Sequence, residues 1–489
     1  MKKTITLLLV STMLLSALSA CGETPVQTAD AGKTPEITDP AAAETEASVE
    51  EETKLTANLP DVNYDGYTFT ILTLDNYTNQ YHLNTEEMTG EPLNDSTYER
   101  NAKIAEDIGV EISSAEFSEL VGPLQTAVAA GDTTYDLVLP HPNANAGLTS
   151  LVSADLLYNL REIPVVDWEK PWWNQSALDA LSIGDTAFLA VGDFTVTCQG
   201  VCAIVANKDM MTDLGITENI YDMVWEGTWT ADRMNSLMEL ATLDLDGDGK
   251  MTGADRYGLL NNSFGHSWQV AMGQPFTARD ENGFPRVVMN NERMYSIVET
   301  CYNMMTGGSC YMSGYSYASF PESEFRAMMM EGRALFSVLD IGGLYSQLRD
   351  IEYNFGLIPL PRLDETQEEY RTFCGAGIVG VPSLLTDAER TGTVLEALAF
   401  YSYEYQVPAF FNIVLENKAV RDEESYEMIT LIHQSKTYDF GFNLDPSGQV
   451  FGMLSTVVDN NKSTDFASYY AAQEKRINKS FDKFFENFQ

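Results

Sequence analysis

Basic residues are scarce in this 489-residue chain. It has 29 Lys and Arg against 72 Asp and Glu, a formal net charge of −43. A surface this acidic repels the phosphates of nucleic acids and the head groups of anionic membranes, so we expect neither as a partner. The charge also argues mildly against a strongly anionic small ligand, although one local basic pocket could override the field.

The motifs of common enzyme classes are missing as well. The sequence has no Gly-x-Ser-x-Gly, no His-Glu-x-x-His and no phosphate-binding Gly-Lys-Ser/Thr loop. Its four histidines do not have the spacing of metal ligands. A hydrolytic pair of carboxylates is not excluded among so many acidic residues, but nothing singles one out. We therefore expect a binding protein rather than an enzyme.

Cysteines are too few and too irregular for a disulfide framework. Five lie beyond the first 21 residues: Cys198, Cys202, Cys301, Cys310 and Cys374. On a single strand, Cys198 and Cys202 would be roughly 13 Å apart, too far for a bridge. Cys301 and Cys310 could pair, but buried thiols are the default interpretation.

The one long apolar run lies at the N-terminus, where Ile5–Leu15 follows Lys2 and Lys3. This pattern predicts an export signal, because the run is too short to span a bilayer. The next residues, Leu18-Ser-Ala-Cys21, resemble the lipobox of bacterial lipoproteins. Residues 1–20 are therefore predicted to be a lipoprotein signal peptide and Cys21 the lipidated residue; an ordinary secretory peptide is the alternative. The predicted location is the extracytoplasmic face of the cell membrane.

Residues 21–58 are predicted to be a disordered acidic tether. From Gly22 to Ala57 there is no aromatic residue, and Ala, Thr, Glu and Pro dominate. Such a segment cannot bury enough apolar surface to fold. Its reach of roughly 30–35 Å would hold the folded part away from the membrane.

Beyond the tether, strands alternate with helices. Tyr67–Leu74, Val110–Ser113 and Tyr135–Pro140 are predicted strands, and Ser96–Ile108 is a predicted helix. This order predicts a parallel sheet and an α/β fold. Open α/β sheets bind ligands at the carboxyl ends of their strands. The candidate ligand residues at this edge are Asp75, Asn76, Tyr77, His141 and Asn143.

A second group of candidates lies where we expect the chain to cross between two compact bodies. The apolar runs Phe188–Val191 and Val201–Ala206 are predicted to be buried strands, and the segment between them is polar. Polar groups need partners when buried, so we expect Asp193 and Thr195 to face a cleft between the bodies. The alternative is one long strand with a bulge.

In the second body, a helix capped by Thr230 is predicted, with Met234, Leu237, Met238 and Ala241 on its buried face, and Glu292–Thr306 is a second predicted helix.

Between them, Tyr257–Leu260 is a predicted strand followed by amides and aromatic residues. Amides bind hydroxyl groups and rings stack on sugars, which makes Phe264 and Trp268 candidate ligand residues. Loop packing explains the same residues equally well. The strand Ala334–Leu339 ends at Asp340, and we interpret it as the return of the chain to the first body. Earlier in the chain, before the predicted crossing, the three indoles of Trp168, Trp172 and Trp173 fit either sugar stacking or the anchoring of a loop.

One acidic loop has the spacing of a calcium site. Aspartates at loop positions 1, 3 and 5, Gly at 6, a carbonyl at 7 and oxygen ligands at 9 and 12 match the EF-hand pattern. The predicted ligands are Asp244, Asp246, Asp248, the carbonyl of Lys250, Thr252 and Asp255. Asp255 replaces the usual Glu, as in dockerin-type loops. We expect a structural calcium ion; the alternative is a solvated turn.

Several short motifs occur in the order typical of one family. They are Tyr98-Glu-Arg-Asn101, Tyr135-Asp-Leu-Val138, Ala206-Asn-Lys-Asp209, Gly227-Thr-Trp-Thr230 and Glu331-Gly-Arg-Ala334. With the lipobox and tether, they make the chain resemble the extracellular solute-binding proteins of ABC importers, the family that includes maltose-binding protein. The resemblance covers nearly all of the chain beyond residue 60.

The resemblance implies a two-lobed, periplasmic-binding-protein-like α/β fold with discontinuous lobes joined by hinge crossings. The implied N-terminal lobe is 59–192 and 338–400, and the C-terminal lobe is 193–337 and 401–489. It implies capture of a small hydrophilic solute, an oligosaccharide, for an ABC permease. Where sugar-binding relatives often place a Trp, this chain has Ile341-Gly-Gly343, so Trp268 or the pair Tyr315/Tyr317 would have to replace it. A surface glycan-binding adhesin and a lipoprotein glycan hydrolase remain the alternatives.

Overall fold

The computed structural model describes residues 55–75, 82–140, 147–198, 201–261, 265–312, 322–340, 348, 351–416 and 422–488. The strands are β1 (Tyr67–Leu74), β2 (Val110–Phe117), β3 (Leu137–Leu139), β4 (Cys202–Asn207), β5 (Tyr257–Asn261), β6 (Thr277–Arg279), β7 (Pro285–Val287), β8 (Cys310–Met312), β9 (Ala334–Asp340), β10 (Phe355–Ile358), β11 (Thr372–Phe373) and β12 (Lys436–Thr437).

Helices surround these strands. They are α1 (Pro92–Ile108), α2 (Val121–Ala130), α3 (Leu148–Ser153), α4 (Gln175–Leu181), α5 (Lys208–Asp213), α6 (Ile220–Glu226), α7 (Ala231–Ala241), α8 (Gly265–Ala271), α9 (Glu292–Thr306), α10 (Glu322–Met330), α11 (Ala388–Tyr401), α12 (Val407–Glu416), α13 (Glu423–Gln434), α14 (Phe440–Asn443), α15 (Met453–Ser455) and α16 (Phe466–Phe485). Short 3-10 helices cover Leu160–Glu162, Asp193–Cys198 and Glu486–Phe488, and π-helical turns cover Ser402–Gln406 and Thr456–Asn460.

The first sheet has the predicted parallel arrangement. Its strand order is β2-β1-β3, and both neighbours run parallel to the central β1. Two single bridges continue it, because Val138 pairs with Gly380 and Val379 pairs with Ala190. The run 188–191 thus follows the sheet without forming the regular strand that the sequence predicted. The prediction of β1 is confirmed residue for residue.

The second sheet is mixed, with the strand order β10-β4-β9-β5-β8. Strands β5, β8, β9 and β10 run in the same direction, and β4 runs antiparallel to both of its neighbours, β9 and β10. All five residues of β5 and all four of β10 are buried, which fits the largely apolar sequences of these strands. Strand β10 lies in this sheet, although the implied lobe boundaries assigned 338–400 to the N-terminal lobe.

The segment after residue 400 also departs from the implied boundaries. The π-helical turn Ser402–Gln406 and helix α12 pack against α1, beside the first sheet. Arg100 of α1 donates a 2.6 Å hydrogen bond to the side-chain carbonyl of Gln406. The guanidinium is buried, and this burial lowers its pKa to about 9. The start of the implied segment 401–489 therefore contacts α1, which packs on β2 of the first sheet, and α13 packs on β10 of the second sheet.

The return of the chain to the first sheet also differs from the prediction. Strand β9 does not leave the second sheet, since β10 follows it there. The chain passes back between Cys374, whose N–H bonds to the Thr437 carbonyl, and Val379, whose N–H bonds to the Ala190 carbonyl. The sequence did not predict where the chain returns to the first sheet, because β9 and the predicted crossing are both short apolar runs followed closely by an acidic residue or ending in one.

Helix starts follow the expected chemistry. Thr230 was predicted to cap α7, and its hydroxyl accepts the N–H of Arg233. The prediction that Met234, Leu237, Met238 and Ala241 form the buried face of α7 is confirmed. The Glu292–Thr306 helix has the predicted bounds and is capped by Asn291.

The indoles at 172 and 173 anchor a loop, the second of the two interpretations that the sequence allowed. Trp172 and Trp173 donate their ring N–H groups to the two carboxylate oxygens of Glu396, at 3.1 and 2.9 Å. Both rings are buried, and burial raises the pKa of Glu396. A buried carboxylate needs such donors, so these indoles fasten their loop to α11.

Within the described residues, no helix is long and apolar enough to cross a membrane. Residue 21 and the predicted signal and tether, apart from residues 55–58, lie outside the described ranges.

Candidate functional site

The candidate site is the junction of the two sheets, centred on the 3-10 helix Asp193–Cys198, which we call the crossing. The sequence predicted strands on either side of a polar passage; the structure makes the passage helical and begins β4 at Cys202. Gly192 permits this geometry, because a Cβ there would lie 2.8 Å from the rings of Phe194 and Trp173.

Thr195 does not face a cleft. Its side chain is fully buried, and its hydroxyl oxygen lies 2.8 Å from the Gly192 carbonyl and 2.9 Å from the Gly377 carbonyl. Gly377 belongs to the return passage, so this hydroxyl connects the outgoing and returning segments of chain. The physical reason for its burial is that main-chain acceptors satisfy the hydroxyl inside the protein.

Asp193 is the first residue of the crossing. Its side chain is half-buried, and its backbone N–H bonds to the Trp172 carbonyl at 3.0 Å. Within the described part of the chain, nothing donates a hydrogen bond to its carboxylate. Burial raises the pKa of Asp193 to about 7, and the positive charge of Lys436 on β12 only partly offsets this. A carboxylate without donors at the junction of two sheets is suited to accept hydrogen bonds from a ligand.

The end of the second sheet adjoins the crossing. Cys202, the first residue of β4, pairs in register with Asp340, the last residue of β9. The Cys202 sulfur lies 3.8 Å from the Ser267 hydroxyl on α8. The carboxyl end of β9 therefore lies beside the start of β4, close in the chain to the crossing. Asp340 was predicted to contact a ligand there, but the position of its side chain lies outside what the structure describes.

Trp268 has no accessible face. Its side chain is fully buried, and its ring N–H donates to the Asn261 side-chain oxygen at 3.4 Å. A ring enclosed on all sides cannot stack on a ligand in this conformation. The reason is its position on α8, a helix whose seven residues are all buried. The loop-packing interpretation therefore accounts for Trp268 better than the ligand interpretation.

A different set of rings reaches solvent here. We call Phe373, Phe442, Phe451 and His266 the ring cluster, and the His266 ring lies 4.5, 5.0 and 5.2 Å from the three phenyl rings in that order. Phe451 is 44% exposed, whereas burial lowers the pKa of His266 to about 3 and keeps it neutral. The cluster thus offers an uncharged aromatic face.

The ring cluster adjoins the crossing through the chain itself. Phe373 pairs with Thr437, next to Lys436, and Cys374 then begins the return passage. Gly375 makes room for the rings, because a Cβ there would lie 2.2 Å from Phe442. Lys436, whose charge acts on Asp193, is thus the chain neighbour of the residue that pairs with Phe373, so β12 links the carboxylate to the ring cluster. The carboxylate offers polar contact and the ring cluster apolar contact.

The sequence analysis missed the ring cluster. Its members come from positions 266, 373, 442 and 451 and meet only through tertiary packing. The one local feature of the sequence that could have indicated the ring cluster is Gly375, a small residue shortly after Phe373. It precedes Gly377, whose φ of +76° favours glycine.

The remaining ligand predictions concern the first sheet. Asp75 follows β1, is exposed, and its backbone N–H bonds to the Phe117 carbonyl at 2.9 Å. It therefore lies at the carboxyl edge of the sheet as predicted. Asn76, Tyr77, His141, Asn143 and Phe264 lie outside the described residues.

The acidic loop brings three of its predicted ligands together. Carboxylate oxygens of Asp244, Asp246 and Asp255 all lie within 4.8 Å of one another. Asp255 is fully buried, and hydrogen bonds from the N–H groups of Thr252 and Leu245 lower its pKa. Asp248 is exposed and accepts the Lys250 N–H at 2.7 Å. Hard oxygen donors held this close fit a calcium ion.

The acidic loop and the predicted ligand site lie at opposite ends of the second sheet. Helix α7 precedes the loop in the chain, and β5 follows it. The backbones of Leu243 and Arg256 donate hydrogen bonds to each other and so close the loop. It therefore sits at the amino end of β5, whereas the junction lies at the carboxyl end. An ion here would stabilise the fold and would not contact a solute at the crossing.

Comparison with known proteins shows the fold. No family model matches the sequence, and no curated protein matches it either. Among solved structures, it is similar to an ABC solute-binding protein from Thermotoga lettingae bound with α-D-tagatose (TM-score 0.54, 13% identity, covering 85% of this chain and 100% of that one).

Two further structures have the same likeness. One is a cyclo/maltodextrin-binding protein complexed with maltotetraose (TM-score 0.51, 15% identity, 86% and 97% coverage). The other is an ABC substrate-binding protein from Listeria monocytogenes in complex with cycloalternan (TM-score 0.50, 13% identity, 87% and 99% coverage). The expected architecture is confirmed: this chain has the two-lobed α/β fold of the solute-binding proteins of ABC importers.

Proposed function

We propose that the protein is a lipid-anchored extracytoplasmic receptor that captures an oligosaccharide for an ABC importer. The observation that carries the proposal is the pairing, at the junction of the two sheets, of a carboxylate without hydrogen-bond donors and an exposed aromatic face. Sugars combine hydroxyl groups with flat apolar faces and need both kinds of contact. The fold, and the sugars bound by proteins that share it, support this choice.

Capture would follow from lobe closure. A ligand that touches both lobes favours the closed arrangement only by the difference in its affinity for the two states. Asp193 on the crossing and Phe451 in the ring cluster are our main candidates for these contacts. The acidic surface makes a neutral solute a better fit than an anionic one.

A thermal-shift screen tests the proposal directly. The folded chain is heated with a library of mono- and oligosaccharides and peptides, and a binder raises the unfolding temperature. Saccharides that raise it, are recovered intact and exchange reversibly support a transport receptor. Release of smaller products would instead indicate the glycan hydrolase. Binding of polymer alone would indicate the adhesin, and no response to any saccharide would contradict the proposal.

We also propose that Cys21 carries the lipid anchor and that residues 21–58 form the tether. The support is the match of Leu18-Ser-Ala-Cys21 to the lipobox. The full-length chain should fractionate with membranes and yield a lipidated N-terminal peptide by mass spectrometry. The Cys21→Ser variant should lose the lipid, and an unmodified Cys21 in the membrane fraction would overturn the assignment.

We propose further that the acidic loop binds one calcium ion with a structural role. The close approach of three carboxylates supports it, and the Asp255 anchor holds the last ligand in place. The residues that would coordinate the ion are Asp244, Asp246, Asp248, the Lys250 carbonyl, Thr252 and Asp255.

A further inference from the structure

The environment of Asp193 differs from that of the other buried carboxylates described at this junction. Glu396 accepts two indole N–H groups, and Asp439 accepts the N–H groups of Phe276 and Gly441 at 3.0 and 2.7 Å. Asp193 is half-buried, and so more exposed than these two carboxylates, but among the described residues it has no such donor. No hydrogen bond from the described part of the protein therefore stabilises its negative charge.

Few charged groups face this carboxylate. Lys436 on β12 favours its ionised form, and Tyr403 on the neighbouring π-helical turn has its own pKa raised by burial and by the charge of Asp193. The other segments packed on the crossing carry Glu404 and, on α11, Glu396. Lys436 lowers the pKa of Asp193, and the effect of burial outweighs it.

We propose that Asp193 links ligand binding to the release of a proton. This inference rests on the proposed function. In the free receptor near neutral pH, part of the population carries a proton on Asp193. A solute hydroxyl that donates to this carboxylate stabilises its ionised form, so the proton leaves to solvent as the solute binds. No bond of the solute is broken.

Affinity should then depend on pH in a defined direction. Below the pKa of the free carboxylate, about 7, the site must lose a proton before it can accept the hydroxyl. Affinity therefore falls up to tenfold for each pH unit below that value and levels off above it. Acidification would favour release of the solute.

The first test needs no ligand. A carboxyl group whose folded pKa exceeds its unfolded pKa lowers the free energy of unfolding as pH rises from about 4 to about 7, with no further change above. The matched variants are Asp193→Asn, which removes the titration, and Asp185→Asn, which removes an exposed carboxylate of the same lobe. Asp459, whose pKa burial raises to about 6, contributes the same background to both.

Thermal unfolding is then followed from pH 4 to 8.5. We expect Asp193→Asn to unfold at a higher temperature than the Asp185→Asn control at pH 8 and at the same temperature near pH 4. Parallel curves for the two variants across this range would overturn the inference. Because no solute is present, this result does not depend on the proposed function.

The second test uses maltotetraose as the probe. Calorimetric titration at pH 7, in two buffers with different ionisation enthalpies, should show release of a fraction of a proton on binding and a dissociation constant that rises as pH falls to 5.5. Binding without proton release would overturn the inference. If neither maltotetraose nor any other member of the library binds, the receptor proposal is contradicted. The ligand-free unfolding experiment would still show whether Asp193 titrates as inferred.

Discussion

The hydroxyl oxygen of Thr195 lies 2.9 Å from the carbonyl oxygen of Gly377, so the outgoing and returning segments of chain between the two sheets are bonded to each other. Neither segment can shift far without moving the other. Any hinge motion of this fold must therefore bend both segments together.

Replacement of Thr195 should reveal this connection. Thr195→Val keeps the shape but removes the hydroxyl donor of the Gly377 carbonyl, whereas the Gly192 carbonyl still accepts the Thr195 backbone N–H. We expect a loss of about 1–3 kcal/mol in the free energy of unfolding. Thr195→Ser retains the hydroxyl and should lose much less. Urea unfolding measures both variants, and equal losses would show that the methyl group rather than the hydroxyl matters.

Trp268 should matter for stability. Trp268→Ala leaves a cavity in a fully buried region, and we expect unfolding to be easier by about 3–5 kcal/mol. The control is Trp225→Ala, because Trp225 is 44% exposed and should cost far less. Urea unfolding separates the two. A Trp268→Ala variant of unchanged stability that has lost solute affinity would restore the ligand interpretation of this residue.

Phe451 should matter for binding instead. Phe451→Ala removes the most exposed member of the ring cluster, and we expect solute affinity to fall by about 0.5–1.5 kcal/mol, as for the loss of a stacking ring. Trp225→Ala again serves as control, since both rings are 44% exposed. Calorimetry with a saccharide from the screen gives the comparison; equal affinities in the two variants would remove the ring cluster from the site.

Calcium should raise the unfolding temperature. An ion that binds only the folded state adds about 2.7 kcal/mol at a concentration one hundred times its dissociation constant. Chelation with EGTA should reverse the gain, and Asp244→Asn should abolish it because Asp244 belongs to the three-carboxylate group. Asp185→Asn should respond like the unmodified chain. A calcium response that survives in Asp244→Asn would place the ion elsewhere.

The sequence predicted local features better than the junction. Strand β1, helix α9 and the Thr230 cap follow from patterns within a few residues, and all three are confirmed. The return passage was misplaced because β9 has the composition of a crossing, and only its pairing with β4 shows that it stays in the second sheet.

The sequence also did not predict which side chains at the candidate site are buried and which are exposed. Trp268 and Phe451 are both aromatic residues near polar neighbours, yet one is enclosed and the other 44% exposed. Their difference arises from helices that join the site from distant parts of the chain. Asp193 could be named as a candidate because a polar residue between two apolar runs stands out locally.

The pairing of Val138 with Gly380 has a consequence for biosynthesis. The strand that flanks β3 is made about 240 residues after β3 itself, so the amino-terminal half stays unfinished during most of translation. Until residue 380 of the 489 has been made, β3 lacks its partner on that side. The order of segments in the chain thus makes completion of the first sheet a late event in synthesis.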